Sequence, residues 1–533
     1  MANPNNLPKE DAITYVEHAT PAHNVEKADT AAEFLANAHV EDVSFTYEEE
    51  RAVLKQIDYR VLPLLLGAYF FQQLDKSSMS YVSIFGIQKD AVLVGRQYSW
   101  LGSILYLAQL VMQPLAAFIL VKLPTGKVIA TAILLWGSSL TIMASCTNFP
   151  SLLGMRFVLG SFEAMIAPAC VATTTMWWRR SEQTIRTGYW NAMNGVTYVV
   201  GSLFTYGLGH IESDAMYKYQ IIFLFCGLLT VAYAIVVLIL MPDSPMKAKY
   251  LTERERIIAV ERLRANQMGI QSGTWKWEQV WETLIDFKTW CWFLAIVAIS
   301  IASGGISSFG NLIIRDFGYT NFQSILFNIP FGVIQIVCIL GSSWAATRWS
   351  RKGLAISVVS IFPIIGTIMM LTVPRQHKGV LLFGYYLVSC LSAVTPLIYT
   401  WHVQNTAGDT KKKCTSAMVF IGMCTGNVIG PLLYSVDDAP LYRPGLISNL
   451  IMFVLIAVTA LLIPMYLALL NKRHAKRREE LGKSATRIDE SMFKPKEMTR
   501  KGTEMEAQEQ RQEQDNGFSD LTDMQNEDFI YVY

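Results

Sequence analysis

Long uncharged stretches dominate the interior of this chain, while charge-rich segments are confined to its two ends and to one connection near the middle. A bilayer's hydrocarbon core is about 30 Å thick, so a helix that crosses it needs roughly 20 mostly apolar residues. Twelve stretches meet that requirement: 61–83, 98–120, 127–147, 151–176, 189–210, 219–241, 290–312, 325–347, 353–373, 379–401, 414–436 and 446–470. Each is apolar around its whole circumference and about twice the length of a barrel strand. In hydrocarbon every backbone amide must be satisfied within its own segment, which leaves an α-helical bundle. The pattern therefore predicts an all-α polytopic membrane protein with twelve transmembrane helices.

The spans divide six and six. This predicts an N-terminal tail (1–56), a first six-helix bundle (57–241), a linker (242–289), a second bundle (290–470) and a tail (471–533). Within the linker, Leu251-Thr-Glu-Arg-Glu-Arg256 reads as the start of an amphipathic helix capped by Thr252. The loops after spans 2 and 8, Pro124-Thr-Gly-Lys-Val-Ile-Ala130 and Ser350-Arg-Lys-Gly-Leu-Ala-Ile356, match weakly. Two pseudo-symmetric halves with a site between them would account for that. Beyond about residue 480, few aromatics and many Glu, Gln and Lys predict disorder. Pro330, Gly332, Gly422, Gly426, Gly430 and Pro431 lie within spans; close packing through small residues is the commoner reason for such glycines, ahead of gating bends.

Composition sharpens this picture. Only 17% of the 533 residues are charged, where a soluble chain carries about 25%. The net charge of +2 says little, but its placement says more. Lysine and arginine cluster in the loops on the side of residue 1, in the linker and in Lys472-Arg473-His474-Ala475-Lys476-Arg477-Arg478. By the positive-inside rule both termini are cytoplasmic. The polar N-terminus shows no removable signal, so the first span itself directs insertion. The eight cysteines sit in or beside spans and read as small packing residues rather than a disulfide framework or zinc site. Trp177, Trp178 and Trp401 fit an interfacial aromatic belt, and His402, at the inner end of span 10, reads as solvated.

Four ionisable residues lie deep in the membrane: Asp75 and Lys76 in span 1, Arg156 and Glu163 in span 4. Charge at such depth costs at least ~2.5–3.5 kcal/mol, which makes each a functional candidate. At 1.5 Å per residue Asp75 lies about 12 Å below the outer end of span 1, and Arg156 about 8 Å below that of span 4. Similar depth and opposite sign predict an Asp75–Arg156 pair. Glu163, seven residues on, shares the face of Arg156 about 10 Å deeper and has no obvious partner. A carboxyl balanced between burial and nearby cations can take up and release a proton, and an anion held at Lys76 and Arg156 would be linked to that step. Gln72, Tyr106, Gln109, Asn191 and Asn194 could line the same cavity, although such amides serve about as often in interhelical hydrogen bonds. No nucleophile motif, P-loop or metal cluster marks an enzyme, and no cofactor or nucleic-acid partner is expected.

These residues bring out a resemblance. Leu74-Asp-Lys-Ser-Ser-Met-Ser-Tyr81, Gln113-Pro-Leu-Ala116, Lys122-Leu-Pro-Thr-Gly-Lys127, Arg156 with Glu163, Met241-Pro-Asp-Ser-Pro245, Asp286-Phe-Lys-Thr-Trp290, Gly426-Asn-Val-Ile-Gly-Pro431 and Asp438-Ala-Pro-Leu-Tyr-Arg-Pro-Gly445 run through about 58–470. Together they resemble the major facilitator superfamily, and more narrowly its anion:cation symporter family and fungal allantoate-permease-like group. The resemblance implies two six-helix bundles rocking about a central site, Asp75 and Glu163 as proton-responsive carboxylates, and Lys76 and Arg156 as the basic positions of an anion site. It further implies proton-coupled symport of a small organic anion across a fungal plasma membrane, an allantoate- or ureidosuccinate-like carboxylate or else a vitamin carboxylate or small peptide, by a protein read as a monomer. A uniporter or exchanger of the same fold, or a non-transporting nutrient receptor, are the alternatives. Two departures stand out: Lys76 where many members have Arg, and no acidic residue in the loop after span 2. A lysine cannot make the bidentate carboxylate contact that arginine can.

Overall fold

The computed structural model describes residues 45–84, 87–94, 97–209, 216–263, 274–319, 326–434, 441–484 and 520–533, with isolated positions 34, 211, 266, 323 and 438. Each apolar stretch forms a helix: α1 (Leu62–Ile84), α2 (Gln97–Lys122), α3 (Thr125–Met143), α4 (Phe149–Trp177), α5 (Arg180–Gly209), α6 (Lys218–Leu240), α7 (Phe287–Asp316), α8 (Asn328–Trp349), α9 (Lys352–Thr372), α10 (Lys378–Gln404), α11 (Asp409–Leu432) and α12 (Arg443–Glu480). Among the described residues, ten of these are long and apolar enough to cross a membrane by length and composition. The other two, α1 and α5, are the helices that carry Gln72, Asp75 and Lys76, and Asn191 and Asn194. Site polarity and weak hydropathy therefore have one origin.

Helix packing repeats with a shift of six. α3 packs on α6 as α9 does on α12; α1 packs on α5 as α7 does on α11; α2 meets α4 as α8 meets α10. Across the halves, α2 packs on α11 and α8 on α5, the same relation read in both directions. The fourth helix of each half is also interrupted, α4 after Glu163 and α10 by a 3-10 stretch at Ser389–Ala393. Gln113 of α2 donates to the Ala164 carbonyl at the first interruption, 3.3 Å away.

The seam between halves needs glycine. A Cβ on Gly195 of α5 would lie 2.4 Å from the Gly332 carbonyl oxygen of α8, and one on Gly332 would lie 2.7 Å from that of Gly195. Gly422, Gly426 and Gly430 similarly admit the backbone of α7. The expectation of packing glycines describes these contacts.

The predicted spans differ from the helices mainly at α5, which starts nine residues earlier, and α12, which runs ten residues further. Hydropathy cannot see either extension, because both are polar and held by ion pairs or a docked peptide. On the face where α1 begins and α12 ends, here the terminal face, a helix at Tyr47–Arg60 precedes α1 with a complete Thr46–Glu49 capping box. Its Glu50 is buried against Arg179 and Arg262, at 3.1 and 3.4 Å, and Arg262 reaches Glu182 at 2.6 Å. The linker helix Glu253–Glu261 is capped by Thr252 as expected. A second linker helix, Trp277–Ile285, leaves Trp277, Trp281, Leu284 and Ile285 exposed along one face.

Both tails carry structure where they are described. Residues 47–56 of the N-terminal tail are helical, as part of the helix Tyr47–Arg60. Residues 520–533, expected to be disordered, are packed against the terminal face, with Thr522, Asp523, Asn526, Asp528, Phe529 and Tyr531 nearly inaccessible. Composition misled because the few aromatics of the tail are concentrated in this last stretch. The expectations for 1–44, apart from position 34, and for 485–519 lie outside the described residues.

Candidate functional site

Asp75 and Lys76 are consecutive on α1, so their side chains leave the helix about 100° apart. They reach different neighbours. Asp75 is fully buried, and its Oδ2 accepts from the Trp136 indole of α3 at 2.6 Å and from the Thr230 hydroxyl of α6 at 3.1 Å. Its Oδ1 has no hydrogen-bond partner. Lys76 Nζ lies instead 3.0 Å from Glu163 Oε1, at the point where α4 is interrupted. The expected Asp75–Arg156 pair is thus not formed, and Glu163 is not partnerless. Spacing along each helix gave the depths, but not the angle at which α1 presents Asp75; Trp136 and Thr230 take that direction.

Arg156 is buried, 2% exposed, and neither its Nε nor its Nη1 has a hydrogen-bond partner. Glu163 and Tyr106 are among its electrostatic neighbours, as they are for Lys76. Lys76, Arg156, Glu163 and Tyr106 therefore form one cluster between α1, α2 and α4. Gln72 stands one turn from Lys76 and is buried. Gln109, one turn from Tyr106, has an unpartnered Nε2, while its Oε1 accepts from Cys424 of α11 across the seam at 3.7 Å. Asn191 is tied to its own helix through the Thr187 carbonyl and receives the Tyr69 hydroxyl at 3.4 Å. Asn194 keeps an unpartnered Oδ1. Buried polar atoms left alone cost about 1–3 kcal/mol each. Their convergence on one cluster suits a polar ligand.

Several contributors escaped the sequence reading. Trp136 and Thr230 look like ordinary span residues, and only the fold brings them to Asp75. A belt of rings crosses the seam: Tyr69 on Trp190 at 4.8 Å, Trp190 stacked on Tyr399 at 6.2 Å, Tyr399 on Phe420 at 5.0 Å. Asp243 from the Pro-Asp-Ser-Pro stretch accepts from the Lys127 amide at 3.2 Å, bringing a carboxylate to a loop that has none of its own. Trp177, Trp178 and Trp401 are buried inside the protein rather than in an outer belt. His402 is also buried, between the Ile398 carbonyl and Ser416 Oγ, and is not solvated.

Comparison with known proteins decides the class. The family model of the Major Facilitator Superfamily matches residues 65–431. The chain belongs to the major facilitator superfamily. It is 30% identical to the thiamine pathway transporter of Saccharomyces cerevisiae over 97% of this chain and 96% of that one. It is 29% identical to the allantoate permease of the same yeast, over 95% and 90%. Among solved structures, the proton:xylose symporter XylE has a similar fold, with a TM-score of 0.63 at 11% identity, covering 77% of this chain and 95% of that one. This member of the superfamily is a multi-pass membrane transporter of small molecules, and its relatives are transporters rather than enzymes.

Proposed function

We propose that the protein is a proton-coupled symporter of a small organic anion. The anion is a monocarboxylate of the allantoate or ureidosuccinate kind, carried across a fungal plasma membrane by a monomer with its terminal face in the cytoplasm. The observation that supports this most directly is Arg156, a buried guanidinium with two donor nitrogens, Nε and Nη1, unused and no carboxylate in ion-pair range among the described residues. Charge arithmetic supports coupling. With Lys76 and Arg156 positive and Asp75 and Glu163 negative, the buried set sums to zero. A bound carboxylate makes it −1, and one proton returns it to zero.

Asp75 is the carboxyl suited to take that proton. Its hydrogen bonds come from neutral donors, so protonation breaks no ion pair, whereas protonating Glu163 would strand Lys76. Lys76 with Glu163 holds α1 to the interruption in α4, and substrate at Arg156 would compete for the same charges. Exchange of access between the faces follows from the two-half packing, with the interrupted α4 and α10 on either side of the site. The relation to the allantoate permease supports the substrate class, and the basic terminal-face loops support the orientation.

The test is reconstitution in liposomes with an inward proton gradient and a panel of small carboxylates. Accumulation of a monocarboxylate above equilibrium, abolished by a protonophore, is expected. Equilibration that ignores the gradient would overturn the coupling; uptake confined to uncharged or cationic solutes would overturn the anion assignment.

A further inference from the structure

The segment 520–533 occupies a built peptide site on the terminal face. Asp523 places Oδ1 3.0 Å from Lys411 Nζ of α11 and Oδ2 2.5 Å from Lys288 Nζ of α7. The same carboxylate accepts from the Ala407 amide and from the Tyr531 hydroxyl. Asp520 lies 2.6 Å from Lys276 and accepts from the Asp409 amide at 2.7 Å. Further along, Asn405 holds the Val532 backbone from both sides, donating to its carbonyl at 3.0 Å and accepting from its amide at 2.7 Å. Trp401 donates to the same carbonyl at 2.9 Å, and Asn471 of α12 grips Tyr531 in the same two-sided way. This is recognition of an extended acidic and aromatic peptide through its backbone and its carboxylates together.

All of these receptor groups belong to the second half, apart from Lys276 at the end of the linker. One contact lies in the first half. Arg180, at the start of α5 in the first half, donates to the Ile530 carbonyl at 2.9 Å and lays its guanidinium over the Phe529 ring, 4.9 Å from the centroid. Arg180 also exchanges hydrogen bonds with Gln404 of α10, directly across the seam. The peptide is therefore seated on one half and reaches over the closing contact to the other.

We propose that residues 520–533 are an intramolecular latch, which binds the second half whether the terminal face is open or closed and holds that face closed by its Phe529–Ile530 grip on Arg180. Opening of that face moves α5 away from α10, so the Arg180–Gln404 and Arg180–peptide contacts break in one step. The latch adds its share to the closed state only, and so lowers the population open on that side. A competing ligand of the same acidic-aromatic chemistry would displace the peptide from this site. This inference rests on alternating access, but not on the substrate or on proton coupling.

The test reads conformation rather than transport. In a background with the eight cysteines replaced, spin labels at Lys127 and Arg351 report the separation of the two halves on the terminal face. In the full chain a single short distance should dominate. A chain truncated after Ser519 should populate a longer distance roughly tenfold more, in line with the usual size of such couplings. A synthetic peptide of residues 520–533 should reverse that change. Phe529→Ala in the full chain should move the distribution the same way by less, and carries the test should the truncated chain fail to fold. An unchanged distribution in both variants would overturn the latch. A shift on truncation without one in Phe529→Ala or Arg180→Gln would overturn the bridging role and leave a peptide that only braces the second half. Absence of carboxylate uptake by the full chain with an intact distance shift would count against the proposed substrate and coupling alone.

Discussion

Lys76 Nζ sits 3.0 Å from Glu163 Oε1, joining α1 to the interruption in α4. This contact sorts the four membrane-embedded charges into one ion pair and two groups outside it. It uses one cation and one carboxylate against each other, and it leaves Arg156 and Asp75 as the groups whose charge is not cancelled by a direct neighbour. The anion and the proton are then proposed to act at the two uncancelled groups, while the pair between α1 and α4 fixes the geometry around them.

The pair can be separated from the chemistry by mutation. Lys76→Met should leave the buried Glu163 without its cation, at a cost of about 3–5 kcal/mol for breaking one side of such a pair. The double variant Lys76→Met with Glu163→Gln should recover most of that stability, because neither charge is then stranded. It should not recover transport, since the charge set around Arg156 has changed. Thermal stability in detergent and uptake in liposomes check the two halves of this statement. Equal stability of the single and double variants would show that the pair contributes nothing.

Asp75→Asn should mimic a permanently protonated carrier. The amide oxygen can still accept from Trp136 and Thr230, so the local structure should hold. Counterflow between two loaded compartments should survive within a few-fold, while accumulation driven by a proton gradient should vanish. Glu163→Gln should behave differently, because freeing Lys76 adds a positive charge to the anion site and removes the need for a proton there. Accumulation by Asp75→Asn equal to the parent's would exclude Asp75 as the coupling group.

The sequence carried the architecture well and the side-chain pairing poorly, for one physical reason. Crossing a bilayer demands a length of apolar helix, and that demand is written locally, so helices at Leu62–Ile84 or Lys352–Thr372 fall within a residue of their expected bounds. Depth also follows from counting residues, and the four charged positions were legible as costly. Rotation about the helix axis is set by neighbours on distant segments, such as Trp136 and Thr230. No spacing rule could exchange the partners of Asp75 and Glu163. The docked segment 520–533 was invisible for the same reason: its carboxylates look like a solvated tail until Lys288 and Lys411 are brought beside them.

The glycine contact between α5 and α8 gives a steric prediction. Gly195→Ala would set a Cβ 2.4 Å from the Gly332 carbonyl oxygen, a backbone atom that cannot swing aside. The two helices must part, costing about 1–3 kcal/mol as overpacking does and displacing the seam beside Asn191 and Asn194. Gly207→Ala on the same helix has open space around it and should be neutral or slightly stabilising. Unfolding temperature and initial uptake rate, measured for both, should separate them. Identical behaviour would mean the seam is loose.

The docking of residues 520–533 should be insensitive to pH across the physiological range. Burial alone would favour the protonated form of Asp523, but Lys288 and Lys411 outweigh it and hold the carboxyl below its ordinary range. Asp286, Glu282 of the helix Trp277–Ile285, Tyr531 and His474 of α12 are the other titratable groups around it. A carboxyl whose value is lower in the docked state stabilises docking at every pH above its undocked value, about 3.9. That stabilisation is lost only as pH falls from there through the lower docked value. Hydrogen exchange of the 520–533 amides should therefore show equal protection at pH 6 and pH 8 once corrected for intrinsic rates, and weaker protection only in strong acid. Asp523→Asn should lower that protection at both pH values, because it removes a carboxylate shared by two buried cations and leaves Lys288 with Asp286, and Lys411 with Asp286 and Glu282. Protection that falls between pH 8 and pH 6 would place the controlling titration on another group, and His474, which meets the Phe529 carbonyl at 3.0 Å, would be the one to substitute next.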